Sequence, residues 1–378
     1  MAGFLRLDSL EKRFGSVAVT RGVSLDAEKG EIVALLGPSG SGKTTVLRLV
    51  AGFEAPDSGR VIVDGEDVTG LPPERRRFGM VFQHYALFPH MTVGENVAFG
   101  LSGRMDRAQA AGRVAEVLGL TGLAGFEPRR VTELSGGQQQ RVAVARALAP
   151  SPRVLLLDEP LSNLDPTLRE KTRRELRRAI RNIGITTLFV THEQEEAFEL
   201  GDRVAVLCDG RLEQVGTPEV LFDSPATRFV ATFIGRSSVV PVRWESGAAR
   251  IPGGPAWAAR AAVPLADGAD GDLVVRPESL ELAAVGAPDS VSGTVAERRF
   301  AGRFAYYVVA RDSSTGAAGA AGGDLEVLGP PDAAREGARV GVRPSAGGPV
   351  PFVFAREPRV PTSTLLERES IVVKRSRR

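Results

Sequence analysis

Residues 31–51 read EIVALLGPSGSGKTTVLRLVA, which is an apolar strand candidate, a glycine-rich turn and a helical stretch in direct succession. The spacing Gly37-x4-Gly42-Lys43-Thr44 is that of a phosphate-binding loop between a strand and a helix. Glycines let successive main-chain N–H groups converge on phosphate oxygens, and the helix N-terminus adds its positive dipole. The sequence therefore predicts a nucleotide phosphate site, whose residues are Gly37, Pro38, Ser39, Gly40, Ser41, Gly42, Lys43, Thr44 and Thr45.

Composition narrows the class of protein. The chain has 378 residues, which suits two domains, and it is 43% hydrophobic and 25% charged, as in soluble globular proteins. A formal net charge of +2 does not indicate nucleic-acid binding. The single cysteine, Cys208, excludes an intramolecular disulfide and a cysteine-rich zinc site. No apolar run approaches the roughly 18 residues of a spanning helix, so we expect any membrane part to come from a partner.

Two adjacent acids follow the apolar run VLLL, within VLLLDEP at residues 154–160. Asp158 is therefore expected at the carboxyl end of a buried strand, which is the ligand-binding edge of an open α/β sheet. A carboxylate at this place is suited to hold Mg²⁺ together with the Thr44 hydroxyl. Glu159 points elsewhere and is placed to accept a proton from an attacking water.

Gln83 and His192 also follow strand candidates, in VFQHYALFPHMTV and VTHEQEEA. We expect Gln83 to order water and Mg²⁺ at a γ-phosphate, and His192 to lie at the same sheet edge as Asp158. The loop after Gln83 continues with large apolar residues that lack strand or helix periodicity, namely Tyr85, Leu87 and Phe88. Such residues suit either the core or an exposed partner surface.

A second anion site is predicted at residues 134–138, LSGGQ, directly ahead of a helical stretch. A serine and two glycines at a helix start offer N–H groups and a positive dipole. One chain therefore has two phosphate-binding helix ends but only one lysine-bearing loop. A head-to-tail dimer uses both ends, because each nucleotide then lies between the phosphate loop of one copy and the LSGGQ of the other.

Strand candidates alternate with helical stretches as far as residue 235, which predicts an α/β domain. The continuous apolar runs VLLL, TTLFV and RVAVL are typical of buried parallel strands. Short strand-like pieces between glycine-rich turns then predict a small β-barrel. We expect domains over 1–235 and 236–378, a flexible hairpin loop at 313–323 and a solvated basic end, KRSRR.

Together these residues resemble the ATP-binding subunits of ABC transporters, over nearly all of residues 1–235. The resemblance implies an α/β P-loop NTPase fold of ABC type with a helical subdomain that carries LSGGQ, followed by a small all-β OB-like domain. It implies ATP and Mg²⁺ as cofactors. The implied ATP-binding residues, beyond the loop 37–45, are Phe14, which stacks on adenine, and Ser135, Gly136, Gly137, Gln138 and Asp165. The implied catalytic residues are Glu159, His192 and Gln83, and the implied Mg²⁺ ligands are Thr44, Gln83 and Asp158.

Longer stretches of the sequence narrow this resemblance to one group of ABC transporters. Residues 82–101, 202–235 and VRPESL at 275–280 are similar to ATPases of binding-protein-dependent importers, whose C-terminal TOBE-type domain is regulatory or stabilises the dimer. The resemblance implies a homodimer at the cytoplasmic face of the cell membrane that hydrolyses ATP to power solute import. Its implied partners are integral membrane permease subunits and, through them, an extracytoplasmic solute-binding protein, with no nucleic acid. Polyamines and ferric iron are the candidate solutes.

The alternative is a soluble ABC-type ATPase of DNA repair or translation. Repair types insert long coiled coils or zinc modules between the nucleotide motifs, and translation types carry two tandem cassettes. This chain has one cassette, no such insertion and one cysteine, which favours the importer.

Overall fold

The computed structural model describes residues 3–103, 105–312 and 323–356. The predicted hairpin loop, apart from Gly323, and the KRSRR end lie outside the described residues. The chain divides into two compact units between Val230 and Ala231.

The first unit alternates strands and helices. Its strands are β1 (Leu5–Phe14), β2 (Val17–Ala27), β3 (Ile32–Leu36), β4 (Ser58–Val63), β5 (Glu66–Asp67), β6 (Phe78–Val81), β7 (Val154–Asp158), β8 (Thr186–Thr191), β9 (Arg203–Cys208) and β10 (Arg211–Gly216). Its helices are α1 (Lys43–Ala51), α2 (Pro73–Arg76), α3 (Val93–Ala98), α4 (Arg107–Leu120), α5 (Gly136–Leu148), α6 (Pro166–Ile183), α7 (Gln194–Leu200) and α8 (Pro218–Asp223), and α9 (Arg228–Phe233) crosses the division.

A six-stranded sheet positions the site. Its order is β10-β9-β3-β8-β7-β6, with parallel pairing throughout except for the antiparallel edge strand β10. Strands β3 and β8 are buried along their whole length, as expected for central parallel strands covered on both faces. The four neighbours β3, β8, β7 and β6 end at one edge, so the segments that follow them converge there.

A second, antiparallel sheet of order β2-β1-β4-β5 shares one hydrophobic core with the first. The phosphate-loop helix α1 contributes Val46, Leu47 and Val50 to this core, all of them fully buried. The helix that follows the glycine-rich turn is therefore held on its apolar side by both sheets.

Three helices between β6 and β7 form the helical part of the first unit, and each begins at a reciprocal capping box. The pairs are Thr92 with Glu95 for α3, Asp106 with Gln109 for α4, and Ser135 with Gln138 for α5. In such a pair the two side chains each accept a main-chain N–H that the first helical turn leaves free. The local sequence thus explains where each helix starts.

The second unit is built from strands, apart from the end of α9 and a single 3₁₀ turn at Pro277–Ser279 among its described residues. The strands are β11 (Ser238–Glu245), β12 (Ala248–Arg250), β13 (Ala256–Ala258), β14 (Arg260–Ala261), β15 (Asp270–Val275), β16 (Leu280–Ala283), β17 (Val291–Ala301), β18 (Phe304–Arg311), β19 (Leu325–Gly329), β20 (Arg339–Pro344) and β21 (Phe352–Ala355). They form sheets of order β13-β12-β11-β15-β21-β14 and β16-β20-β17-β18-β19 around a common core that includes Trp257 and Tyr307. The predicted fold class, α/β followed by all-β, is confirmed.

Candidate active site

The glycine-rich turn 37–42 joins β3 to α1 and requires glycine at two places for steric reasons. A side chain at Gly37 would place its Cβ 2.2 Å from the carbonyl oxygen of Leu207. At Gly42, with φ of 98°, a Cβ would lie 2.7 Å from the carbonyl oxygen of Val19. The loop is thus wedged between β9 and β2, and its tip, Ser39 and Gly40, is exposed.

Lys43 curls back over this loop. Its Nζ donates to the carbonyl oxygens of Gly37 at 2.8 Å and Pro38 at 2.9 Å, and the residue is 6% exposed. Burial lowers the pKa of Lys43, and the nearby charges of Glu159 and Asp158 oppose that shift. The ammonium group therefore lies inside the loop, where the β- and γ-phosphates of a nucleotide are expected.

Asp158, the last residue of β7, lies beside the first turn of α1. Its carboxylate lies near the Thr44 side chain. Burial raises the pKa of Asp158 and the charge of Glu159 adds to the rise, whereas Arg48, Thr44 and Lys43 lower it. A hydroxyl and a neighbouring carboxylate are hard oxygen donors of the kind that Mg²⁺ prefers, so the residues present fit that ion. Thr45 lies in the same turn and is half-buried.

Glu159 is held between two loops. Gln83 Nε2 donates to its Oε2 at 2.9 Å, and His192 Nδ1 lies 3.2 Å from its Oε1. The backbone of Glu159 has φ of 44°, a left-handed conformation that is costly for a residue with a Cβ, and its N–H donates to the Val190 carbonyl at 3.0 Å. This turn directs the carboxylate towards Gln83 and His192.

Two residues that sequence reasoning missed support this arrangement. Asn163 Nδ2 donates to the main-chain oxygen of Gln83 and lies 3.3 Å from His84 Nδ1. Ser162 Oγ donates to the main-chain oxygen of Glu159 at 3.0 Å. Both belong to the segment LSNLD, so the sequence feature that could have identified them is their position close to Asp165.

A buried carboxylate, Glu196 of α7, lies behind the loop that carries His192. It is 2% exposed, and Thr191 Oγ1 donates to its Oε2 at 2.5 Å. Burial raises the pKa of Glu196 to about 7, although Thr191, Arg173, Arg169 and His192 act in the opposite direction. Sequence reasoning missed this residue because VTHEQEEA contains three acids and only the structure shows which one is buried.

The predicted adenine-stacking residue, Phe14, lies at the end of β1 and is 47% exposed. Lys12 Nζ lies 5.4 Å from the centroid of its ring. The paired strand β2 brings Val19 against Gly42 of the phosphate loop. An aromatic face is thus available on the strand pair that contacts the loop.

The residues of LSGGQ and Asp165, which are predicted to bind ATP, make only local contacts at the starts of α5 and α6. Ser135 and Gln138 cap α5, and Asp165 accepts from the Leu168 N–H at 3.0 Å at the start of α6. A Cβ at Gly136 would lie 2.8 Å from Leu164 Cδ2, and one at Gly137 would lie 2.7 Å from Thr172 Oγ1. Within the described part of the chain, no hydrogen bond or ion pair joins residues 135–138 to the phosphate loop or to Glu159.

The loop after Gln83 is only partly the expected apolar surface. Tyr85 is buried, at 6% exposure, and burial raises the pKa of its hydroxyl to about 12. Of the two alternatives for this residue, the core is therefore correct and the exposed partner surface is wrong. Leu87 and Phe88 are half-buried. The exposed aromatic residues near this loop are Phe53, Phe82 and Phe99, with exposures of 50%, 40% and 55%.

Comparison with known proteins matches both units. Residues 20–162 match the family model described as ABC transporter, and residues 273–352 match the TOBE domain. The sulfate/thiosulfate import ATP-binding protein CysA 2 of Chromobacterium violaceum is 49% identical over 276 residues, 73% of this chain and 75% of that protein. The spermidine/putrescine import ATP-binding protein PotA 1 of Pseudomonas aeruginosa is 48% identical over 305 residues, 78% of this chain and 82% of that protein.

Two solved structures of ABC transporter proteins are similar to this chain. The structure of cbiO1 from Clostridium perfringens, part of the ABC transporter complex cbiONQ, has a TM-score of 0.55 at 29% identity and covers 59% of this chain and 91% of that one. The dimeric bacterial ABC transporter cassette MJ0796 has a TM-score of 0.50 at 33% identity and covers 56% of this chain and 98% of that one. None of the described helices has the length and apolar character to cross a membrane. Because the chain is nearly half identical to import ATP-binding proteins and matches both the ABC transporter and the TOBE domain models, it belongs to the family of ATP-binding subunits of ABC importers, whose ATP hydrolysis is coupled to transport.

Proposed function

We propose that Glu159 accepts the proton of the water that attacks the γ-phosphate of ATP. The observation that carries this role is the position of its carboxylate, which is held on one oxygen by Gln83 and on the other by His192. A general base needs a fixed orientation towards the proton it receives, and two partners on different loops provide it. The strained backbone of Glu159 fits the same purpose.

The phosphate loop and α1 bind the nucleotide in this proposal. Lys43 exchanges its carbonyl partners for the β- and γ-phosphate oxygens, and the main-chain N–H groups of the first helical turn face the phosphates. Phe14 stacks on adenine through its exposed ring.

Mg²⁺ binding is proposed at Thr44 and Asp158, with Gln83 as the third residue. Held by these residues, the ion would neutralise the negative charge that develops on the phosphates during hydrolysis. Thr44, in the first turn of α1, and Asp158, the last residue of β7, lie near each other. Gln83 donates its Nε2 to Glu159, so its amide oxygen remains the atom suited to the metal.

The proposed active form is a head-to-tail homodimer. Ser135, Gly136, Gly137 and Gln138 would bind the γ-phosphate of the nucleotide held by the other copy, with Asp165 nearby at the interface. Two observations support this. The capped start of α5 has no link to its own phosphate loop within the described residues, and the related cassette MJ0796 was solved as a dimer.

Permease subunits are proposed to bind the exposed aromatic patch formed by Phe53, Phe82 and Phe99. Phe53 and Phe82 have ring centroids 6.0 Å apart, and Phe99 contacts Phe88 with centroids 4.5 Å apart. Phe82 directly precedes Gln83, so partner contact and nucleotide contact share one loop. In this proposal the protein lies at the cytoplasmic face of the cell membrane, and the permease receives solute from an extracytoplasmic binding protein.

A polyamine is the proposed solute. Among the relatives described above, the alignment with the spermidine/putrescine protein extends over 305 residues and that with the sulfate/thiosulfate protein over 276. Ferric iron, the other candidate, stays a prediction. The test is uptake of labelled putrescine and labelled sulfate by proteoliposomes that contain the chain with its co-purified permease. Putrescine uptake supports the proposal, and sulfate uptake in its place contradicts it.

The second domain, proposed to span 236–378, acts on dimer stability or regulation and not on the chemistry. Every residue assigned above lies before 193. A chain truncated after residue 235 should bind MgATP with similar affinity and dimerise more weakly, as measured by sedimentation. A folded truncation that binds no ATP would show that the second domain contributes to the nucleotide site.

The roles of Gln83 and His192 are tested by Gln83→Ala and His192→Ala in the full chain. Each should lower kcat by about a hundredfold and change KM for ATP little, because both groups act on Glu159 and the γ-phosphate in the transition state. Wild-type kcat in both variants would contradict the proposed site.

A further inference from the structure

The turn that follows Gln83 is strained at two consecutive residues. Tyr85 has φ of 61° and Ala86 has φ of 48°, and neither is glycine. The Tyr85 N–H donates to the Phe82 carbonyl at 2.8 Å and the Ala86 N–H to the His84 carbonyl at 2.6 Å. Left-handed backbone at residues with a Cβ persists only where the surroundings hold it. Something outside the turn must therefore stabilise this conformation.

Arg146 is that external group. Its Nη1 donates to the Ala86 carbonyl at 2.6 Å and its Nη2 to the Tyr85 carbonyl at 2.7 Å. One planar guanidinium thus donates to both strained residues at once. A lysine ammonium, which is a compact point charge, does not match this geometry. The same group lies 5.7 Å from the centroid of the Phe88 ring. Within the described residues Arg146 pairs with no carboxylate, so its polar contacts are directed to this turn.

The far side of the turn is fixed to the catalytic carboxylate. Gln83 donates through its side chain to Glu159, and its main-chain oxygen accepts from Asn163. Arg146 stands in the last turn of α5, and α5 begins with the capping box of Ser135. A single helix of 13 residues therefore connects the proposed phosphate-binding end at Ser135 with the turn that positions Gln83.

We propose that Arg146 is a positioning residue that holds Gln83 against Glu159 by clamping the turn 82–86, and that it links this contact to the helix that begins at Ser135. The inference rests on the proposed role of Gln83 in catalysis. Arg146 itself is assigned no contact with nucleotide. Its effect is expected on the catalytic step and not on ATP binding.

Arg113 offers a matched control in the same region. Its Nε and Nη2 donate to the carbonyls of Ala149 and Leu148, both at 3.0 Å, at the C-terminal end of the same helix. Arg113→Ala therefore also removes a guanidinium and two carbonyl hydrogen bonds, but it does not touch the turn. A loss of kcat that comes only from destabilising α5 should appear in both variants.

The first test compares Arg146→Ala with Arg113→Ala in the full chain. Arg146→Ala should lower kcat about tenfold with KM for ATP within about threefold, whereas Arg113→Ala should keep both within about twofold. Arg146→Lys should give an intermediate kcat because one ammonium reaches one carbonyl. Should Arg146→Ala not be recovered folded, Arg146→Lys and Arg146→Gln carry the same comparison. Equal kcat in the Arg146 and Arg113 variants overturns the inference.

The second test is a double-mutant cycle with Gln83→Ala. If Arg146 acts through Gln83, adding Arg146→Ala to Gln83→Ala should change kcat by less than about twofold, because the residue it positions is gone. Full additivity of the two losses overturns the inference while leaving the role of Gln83 intact. Wild-type kcat in Gln83→Ala alone would instead contradict the proposed function.

Chemical rescue supplies a readout that overall stability does not mimic. Free guanidinium ion, at concentrations of about 10–50 mM that are far below the molar range needed for unfolding, should raise kcat of Arg146→Ala several-fold. It should leave Arg113→Ala and the wild type unchanged. Absence of rescue in Arg146→Ala, together with additivity in the cycle, would reduce Arg146 to an ordinary structural residue.

Discussion

Gln83 donates its Nε2 to Oε2 of Glu159 at 2.9 Å although the two residues are separated by 76 positions in the sequence. The contact exists because β6 and β7 are parallel neighbours, so the residues that follow them meet at the same sheet edge. His192, after β8, completes the set from the next strand in the sheet. Three adjacent strands thus bring the proposed base and its two partners together.

The shared nucleotide site is tested by two variants with different expected defects. Lys43→Ala should weaken ATP binding and abolish turnover, because it removes the charge paired with the β- and γ-phosphates. Ser135→Arg should leave ATP binding by one chain largely intact and block hydrolysis, because it alters the surface offered to the other copy. Equilibrium nucleotide binding and phosphate release distinguish the two. Equal loss of ATP binding in both variants would rule out a site shared between copies.

The aromatic patch is tested by the double substitution Phe53→Ser and Phe99→Ser. Both side chains are at least half exposed, so their loss should cost little stability. We expect ATP hydrolysis by the isolated protein to stay within about twofold of wild type and transport to be lost. Phe300→Ser is the control, since Phe300 is 68% exposed in the second unit. Unimpaired transport by the double variant would remove the patch as the permease contact.

Glu196 predicts a specific dependence of stability on pH. Its pKa is about 7 in the folded protein against an ordinary value of 4.5. The folded state therefore binds the extra proton, and this contribution to the free energy of unfolding is complete below about pH 4.5 and is lost as pH rises through about 7. Between these two pH values the proton linkage changes the free energy of unfolding by about 3 kcal/mol.

The measurement for this dependence is the thermal midpoint of Glu196→Gln and wild type between pH 5 and 8. The neutral amide resembles the protonated acid, so the variant should be the more stable protein at pH 8 and should approach wild type at pH 5. Glu199→Gln, on the same helix and more exposed, should not gain stability over wild type at pH 8. A lower midpoint for Glu196→Gln at pH 8 would mean that the ionised carboxylate is the stabilising form.

Much of the site was predictable because it follows a local rule. Gly37, Asp158 and His192 each come directly after an apolar run, and the carboxyl ends of parallel strands share one edge. The capping pair Ser135 and Gln138 is likewise visible in the sequence as a serine three residues before a glutamine. These features depend on residues close together in the chain.

The features that could not be predicted depend on tertiary contacts. Tyr85 is buried because α5 and the core hold its turn, and no periodicity in that loop indicates which ring points inwards. Arg76 is 2% exposed and donates only to main-chain carbonyls, among them that of Leu49 at 2.7 Å, whereas its sequence context is an ordinary run of three arginines. Strand β1 continues to Phe14 through polar residues because its hydrogen bonds to β2 continue there.

Glu159→Gln tests whether Glu159 is the base in a site that two copies share. The amide keeps the size of the side chain but cannot accept the proton, so MgATP should bind normally and hydrolysis should fall by at least about a hundredfold. Size-exclusion chromatography with and without MgATP, run beside phosphate release, measures both consequences. We expect a stable ATP-bound dimer with very slow turnover, and near-wild-type phosphate release by Glu159→Gln would contradict the role of Glu159 as the base.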